Sequence, residues 1–359
     1  MDKTFIYIIE AILYSCLIYF GELLSYYTIF SVFNKPLPLI IYFLPIITTV
    51  LFIAPVYIFF SISKKIYCYA YFISGIIHSY LLNQFLFSIL YQLINCVVKI
   101  PFGYGVFIEL IAPFLYNLYG VINARVIRWN KFSLKFKGLK ETKTIAHMSD
   151  LHLGAVYQLN YVKRVVNKLK AAKPDIVVIT GDLADGSLKF EEKWIEPFNE
   201  LDMPILFISG NHEEIANKSS VLKCVNETKI KYIGDTIYEC QGLNFIGIDY
   251  EDADVRGRLT KFDLKNTTKP NILLYHVPEI YPKELKDYNL FLHLAGHTHG
   301  GQSIPIHFPT WMLNACFVGL YPDEANERFV YVTHGVGTAL TPLRTFSRSE
   351  IALITLEPK

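Results

Sequence analysis

The segment TIAHMSDLH, residues 144–152, sets the reading of this chain: an apolar run that reads as a buried strand, then Asp150 and His152 two positions apart. The same pattern returns four times. DIVVITGD (175–182) ends on Gly181-Asp182, and PILFISGNHE (204–213) on Gly210-Asn211-His212-Glu213. NILLYH (271–276) runs into His276, and LFLHLAGHTHGG (290–301) into His297 and His299. A further apolar run, 244–248, carries no such ending. Residues 161–171 and the region 189–201 read as helices between the strands. Working outward, this alternation predicts an α/β domain over 144–359. Its strands would deliver polar groups to one edge of a sheet, where α/β sites form.

The delivered groups are two Asp, one Asn and four His, with a further His beside the Asn. Imidazole and carboxylate suit zinc, iron, manganese, nickel or cobalt, and the absence of thiolate argues against a structural zinc site. There are too many donors for one tetrahedral ion, whereas two ions sharing a carboxylate would use them all. Each piece alone is weak, since Gly-Asp is usually a turn and a buried His is usually a core residue. Five blocks, each just beyond an apolar strand, are specific.

The first third has a different texture. Up to Ala124 there are five Lys, no Arg and four acids, so 29 of the 34 basic and 28 of the 32 acidic residues follow it. The net charge of +2 averages an apolar half and a nearly neutral soluble half, and predicts no nucleic-acid partner. No charged residue occurs between Lys35 and Lys64, or from Ile66 to Val98. Two more runs, 5–30 and 102–124, are interrupted only by Glu10 and Glu22, and by Glu109. Each exceeds the roughly 20 apolar residues that span a bilayer, which predicts about four transmembrane helices and membrane lipids as partners. Lys3, Lys64, Lys65 and the basic run from Arg125 to Lys143 fall on one side, and Lys35 and Lys99 on the other. The positive-inside rule then puts the catalytic domain in the cytoplasm. Residues 125–143 read as a basic juxtamembrane linker. The six cysteines show no paired spacing and suggest neither disulfides nor a thiolate site.

The order Asp-x-His, Gly-Asp, Gly-Asn-His-Glu, His, Gly-His-Thr-His resembles the calcineurin-like metallophosphoesterase superfamily over 144–357. The tail 331–344, with Gly335, Gly337, Pro342 and Arg344, looks like the subgroup carrying N-terminal membrane helices. The resemblance implies a two-sheet sandwich flanked by helices. It also implies that Asp150, His152 and His299 hold one divalent metal ion, that Asn211, His276 and His297 hold the other, and that Asp182 bridges both. His212 would be the catalytic acid, with Glu213 orienting it. Two such cations lower the pKa of a bridging water, giving a hydroxide that attacks phosphorus.

The expected function is therefore a membrane-anchored hydrolase of phosphoester or pyrophosphate bonds, acting on a phosphorylated or lipid-linked substrate such as UDP-2,3-diacylglucosamine. A phosphodiesterase of soluble substrates merely tethered to the membrane is one alternative, and a catalytically weak metal-binding scaffold is another. His147 and His293 read as core histidines. Arg344 and His334 are candidate substrate contacts, although Arg344 could equally pair with Glu350. Glu109 and His78, in apolar runs, are by default functional or paired.

Overall fold

The computed structural model describes residues 3–48, 50, 63–251, 255–265, 267, 269–304 and 307–359. Two units emerge: 1–122 with Leu340–Leu343, and 123–339 with Arg344–Lys359.

The first unit is helical, with α1 over Lys3–Val32, α2 over Lys64–Val97 and α3 over Phe102–Arg125. The polarity of α2 is inverted relative to a soluble helix. It buries Ser74, Ser79, Asn83, Gln84 and Ser88 while exposing Ile73, Ile77, Leu90 and Leu93. Apolar side chains outward and small or polar ones inward is the pattern that suits helices packed in lipid. The four expected spans are not recovered. Among the described residues two helices, α2 and α3, are long and apolar enough to cross a membrane. The first run does form α1, in which Glu22 is buried and bonded by Tyr26 and Thr48. After Lys35 the two prolines start the second run in non-helical backbone, followed by a 3-10 turn, Leu39–Tyr42. Most of what remains of that run, 51–62, lies outside the described residues.

The second unit has two six-stranded sheets. Its strands are β1 Arg128–Phe136, β2 Lys143–Met148, β3 Ile176–Thr180, β4 Ile205–Ile208, β5 Ile230–Tyr232 and β6 Thr236–Cys240. They continue with β7 Leu243–Gly247, β8 Asn271–Leu274, β9 Leu292–Ala295, β10 Gly319–Asp323, β11 Arg328–Val332 and β12 Glu350–Pro358. The first sheet runs β1-β12-β2-β3-β4-β5 and the second β10-β11-β9-β8-β7-β6. β2 to β5 are mutually parallel, as are β7, β8, β9 and β11.

Alternation along each strand splits the core. Ile145, Ile176, Val178, Leu206, Phe245, Ile272, Leu292 and Ile354 fill the space shared by the sheets. Ala146, Met148, Val177, Ile179 and Phe207 point the other way, onto helix α4, Leu159–Ala172. α4 buries Tyr161, Val162, Val165, Val166 and Leu169, one stripe at helical spacing. The helix expected over 189–201 is instead two 3-10 turns, Glu192–Trp194 and Glu196–Glu200. Pro197 lacks the N–H that a continuous helix would need there.

The expected linker over 125–143 is also corrected. Arg128–Phe136 is a nine-residue edge strand paired with β12 along its full length. Lys131, Ser133 and Lys135 face solvent, while Phe132, Leu134 and Phe136 face the core. Lys131 and Lys135 thus share the face of the strand opposite Leu134. Leu134→Ala should therefore destabilise the domain by about 2–5 kcal/mol, whereas Lys131→Ala stays within about 0.5 kcal/mol. Thermal unfolding of the purified protein checks this, and equal melting temperatures for both variants would restore the linker reading.

Candidate metal centre

The polar groups gather at the ends of β2, β3, β4, β8 and β9, and the backbone there is strained. Asp150, His152, Asp182, His297 and His299 all have left-handed φ, between 48° and 71°. Such a conformation costs a non-glycine residue roughly 1–2 kcal/mol and persists only where neighbours impose it. Here the loops lock one another. Asp150 N–H donates to Gly181 O, and His152 N–H to Asp182 O, both at 3.0 Å. Gly296 N–H reaches His276 O at 2.9 Å, and Gly337 N–H reaches Asp150 O at 2.7 Å. Two glycines are needed for space. A Cβ on Gly210 would strike Asp182, and one on Gly296 would strike Ser149 and Asp150.

The side chains converge in two groups. In one, Asp150, His152 and His299 have their donor atoms within 4.8 Å of one another. His152 Nε2 and His299 Nε2 face each other at 2.9 Å, and Asp150 Oδ1 is 3.3 Å from His299 Nε2. In the other, Asn211 Oδ1 lies 3.1 Å from His276 Nε2 and 3.0 Å from His297 Nδ1. Asp182 Oδ2 stands between the groups, 3.2 Å from His276 Nε2 and 3.7 Å from His152 Nε2. The structure thus brings all seven expected ligands together.

Whether a cation fits is tested at His276. Its Nδ1–H donates to Thr180 O at 2.7 Å, which leaves the Nε2 lone pair aimed at the oxygens of Asp182 and Asn211. Acceptor facing acceptor is stable only with something positive between them. A backbone carbonyl that fixes the far nitrogen is the usual support of a histidine ligand. The donor set fits divalent cations.

Protons otherwise compensate. Burial opposes charge on His276, yet Asp182, Asp150 and the Thr180 carbonyl outweigh it and push the imidazole up to about 9. Burial likewise works against the Asp182 carboxylate, but His276, His152 and His212 hold it well below the usual range. Desolvation dominates at His297 and His299, which fall to about 4.

The remaining expected residues divide. His212 Nδ1–H donates to Asp185 O at 2.9 Å, and its ring stands edge-on to His152, 4.5 Å between centroids. Glu213 does not orient it. Its carboxylate accepts from the N–H groups of Asp182, Ala184 and Gly210, clamping two loops. His147 and His293 are fully buried and bonded to Thr180 Oγ1 and Tyr275 O, as core residues. Arg344 is no substrate contact. It is fully buried, and its guanidinium donates to Gly337 O, His299 O and Ser347 Oγ, with one nitrogen 3.2 Å from His299 Nδ1. Glu350 pairs with Arg348 instead. His334 is mostly buried against Gly300, and its Nδ1 has no partner among the described residues. Asp185 was missed. Its Oδ1 lies 3.4 Å from His152 Nδ1, and with His152 and His212 it forms a third cluster. The one available signal was an acid three residues beyond Asp182 in a polar loop.

Residues 143–301 match the calcineurin-like phosphoesterase family model. A metallophosphoesterase of Helicobacter pylori is 30% identical over 230 residues, 61% of each chain. The bovine transmembrane protein with metallophosphoesterase domain is 29% identical over 236 residues, 59% of this chain and 52% of that protein. A metallophosphoesterase of Aquifex aeolicus is 28% identical over 256 residues, 68% of this chain and 97% of its own length. The chain thus spans about three fifths of the length of the Helicobacter relative. Residues 143–301 are thus similar to a calcineurin-like phosphoesterase domain.

Because His276 is raised to about 9, a cation entering at neutral pH must displace its proton. Binding of manganese should release about one proton at neutral pH, and affinity should rise with pH up to about 9 and then level. Calorimetry in buffers of different ionisation heat measures this. A binding heat independent of buffer would exclude His276 as the displaced acid.

Proposed function

We propose that this chain is a metal-dependent phosphoric ester hydrolase anchored in a membrane. Two divalent cations, manganese, iron, zinc or nickel, would be held by Asp150, His152 and His299 and by Asn211, His276 and His297. Asp182 would serve both. The reading rests chiefly on the position of Asp182, one carboxylate within reach of nitrogen donors from both groups. Bound cations supply a Lewis acid to the phosphoryl oxygens and lower the pKa of the attacking water.

The chain's own groups do the rest. Asp150 and Asp182 offset the positive charge. His212 has its Nδ1 committed to Asp185 O, so Nε2 is the atom left to carry a proton to the leaving oxygen. Asp185 keeps the His152 and His212 rings in place from behind.

The ground beside His297 supports a reading of the substrate class. An open cleft of about 780 Å³ runs from His297 past Tyr281 and Arg256 to Met312 and Leu313 of α5, His307–Leu313. α5 buries none of its residues, and Phe308, Trp311, Met312 and Leu313 are exposed. An apolar rim beside a phosphoryl site suits an amphiphilic phosphate whose tail leaves along α5. A lipid-linked pyrophosphate such as UDP-2,3-diacylglucosamine belongs to that class. Lys64, Lys65 and the basic residues from Arg125 to Lys143 support a cytoplasmic catalytic domain. Protease access in sealed vesicles checks this, since protection in inside-out vesicles would refute it.

Asp182→Asn should abolish turnover and lower the metal content, because a carboxamide is a poor bridge between cations. His212→Ala should slow turnover about 10²–10⁴-fold with metal content unchanged. Full activity in Asp182→Asn protein would sink the assignment. Replacing Trp311 and Met312 by Ser should reduce hydrolysis of a lipid phosphate in mixed micelles but leave p-nitrophenyl phosphate unaffected. Equal loss on both substrates would argue against a lipid tail along α5.

A further inference from the structure

The first unit holds a second arrangement of polar groups that phosphoester chemistry does not use. Gly105, Glu109, Pro113 and Asn117 form the buried stripe of α3, one residue every four. Glu109 is 1% exposed. It sits at the centre of a π turn, Phe107–Ile111, that interrupts the α-helix. Proline explains part of this. Pro113, four residues on, has no N–H to give to Glu109 O. Gln84 Nε2 of α2 donates to that carbonyl instead. π turns of this kind mark functional sites more often than chance allows.

The carboxyl is only half satisfied. Oε2 accepts from Ser88 Oγ at 2.7 Å and lies 3.5 Å from Gln84 Nε2. Oε1 has no hydrogen-bond partner among the described residues. One position before Gln84, Asn83 donates to Asn117 Oδ1 at 3.1 Å, and its own Oδ1 is likewise buried and unpartnered. The unmet need therefore has one sign, since both bare atoms are oxygens. No positively charged side chain is found against Glu109 among the described residues. The titratable groups facing it from α2 are the phenols Tyr80 and Tyr91. On α1, which also packs against this region, Glu22 is engaged by Tyr26 and Thr48.

A carboxyl buried inside a span, with one oxygen bare and no cationic partner, is costly unless something positive completes it. We infer that Glu109, supported by Ser88 and Gln84, is a binding site within the helical unit for a monovalent cation, a proton or a sodium ion. Ser88 and Gln84 hold Oε2 and the carbonyl in place, which leaves Oε1 as the exchanging atom. The inference is independent of the phosphoesterase reading, because it uses no residue of the second unit.

The test uses the full chain in lipid nanodiscs and dicyclohexylcarbodiimide, an apolar reagent that adds to protonated carboxyls. The carboxyl oxygen bonds to the carbodiimide carbon, its proton moves to nitrogen, and acyl migration leaves a stable N-acylurea. Mass spectrometry of the peptide containing Glu109 reads the extent. For proton exchange, labelling at about pH 6 should exceed that at about pH 9 by tenfold or more, as the reagent needs the protonated carboxyl. For sodium, labelling at fixed pH should fall several-fold on adding sodium chloride but not choline chloride. Labelling that ignores both pH and sodium, or no labelling at all, overturns the inference and leaves Glu109 structural. Ser88→Ala removes one support and should shift the labelling profile while hydrolysis of p-nitrophenyl phosphate is unchanged. A profile superimposable on the wild type would likewise count against the site.

Discussion

Two aspartates and four imidazoles buried at one point cannot be left to themselves. Carboxylates withdrawn from water cost several kcal/mol each unless met by positive charge, and lone pairs aimed at one another repel. That need for positive charge organises the second unit. Glu213 and Arg344 tie the loops that carry these groups to one another. The same need accounts for the five left-handed backbones, a strain tolerated because the loops' hydrogen bonds leave no alternative. The two sheets are the platform: parallel strands with buried faces bring five loops to one edge, and close packing transmits their positions to the side chains.

The parts of this arrangement legible in the sequence share one property. Each is short and local, an apolar strand followed at once by its polar ligand, so neighbours in the chain are neighbours in the site. Asp150, His152, Asp182, Asn211 and the three candidate histidines beyond them were readable on that ground. What escaped was set by distant chain. Asp185 looks like any loop acid until folding puts it behind His152. Arg344 looks like a phosphate ligand until its surroundings prove to be carbonyls. β1 was hidden by its lysines, because a count of charges ignores that alternate residues face opposite ways.

The helical unit taught a different lesson. Hydropathy marks which stretches are apolar but says nothing about which face of each is buried, and there the meaning lies. α2 turns its serines and amides inward, so the polar interior of the unit is built from residues that lower its hydropathy only slightly. Pro36 and Pro38 keep the start of the second apolar stretch out of helix. Among the described residues, length without charge overcounts the helices long and apolar enough to cross a membrane.

The order of strands in the first sheet has a consequence for how the protein is made. β12 lies between β1 and β2, so the strand synthesised last separates the two synthesised first. Val336 and Gly337, which bond the loop holding Asp150, also emerge late. While the ribosome is still translating, β2 and β3 can pair, yet β1 has no neighbour, and the Asp150 loop lacks its outer brace. The helices meanwhile can already have entered the bilayer. The loop that carries Asp150 is thus completed only after the first five strands of its sheet have been made.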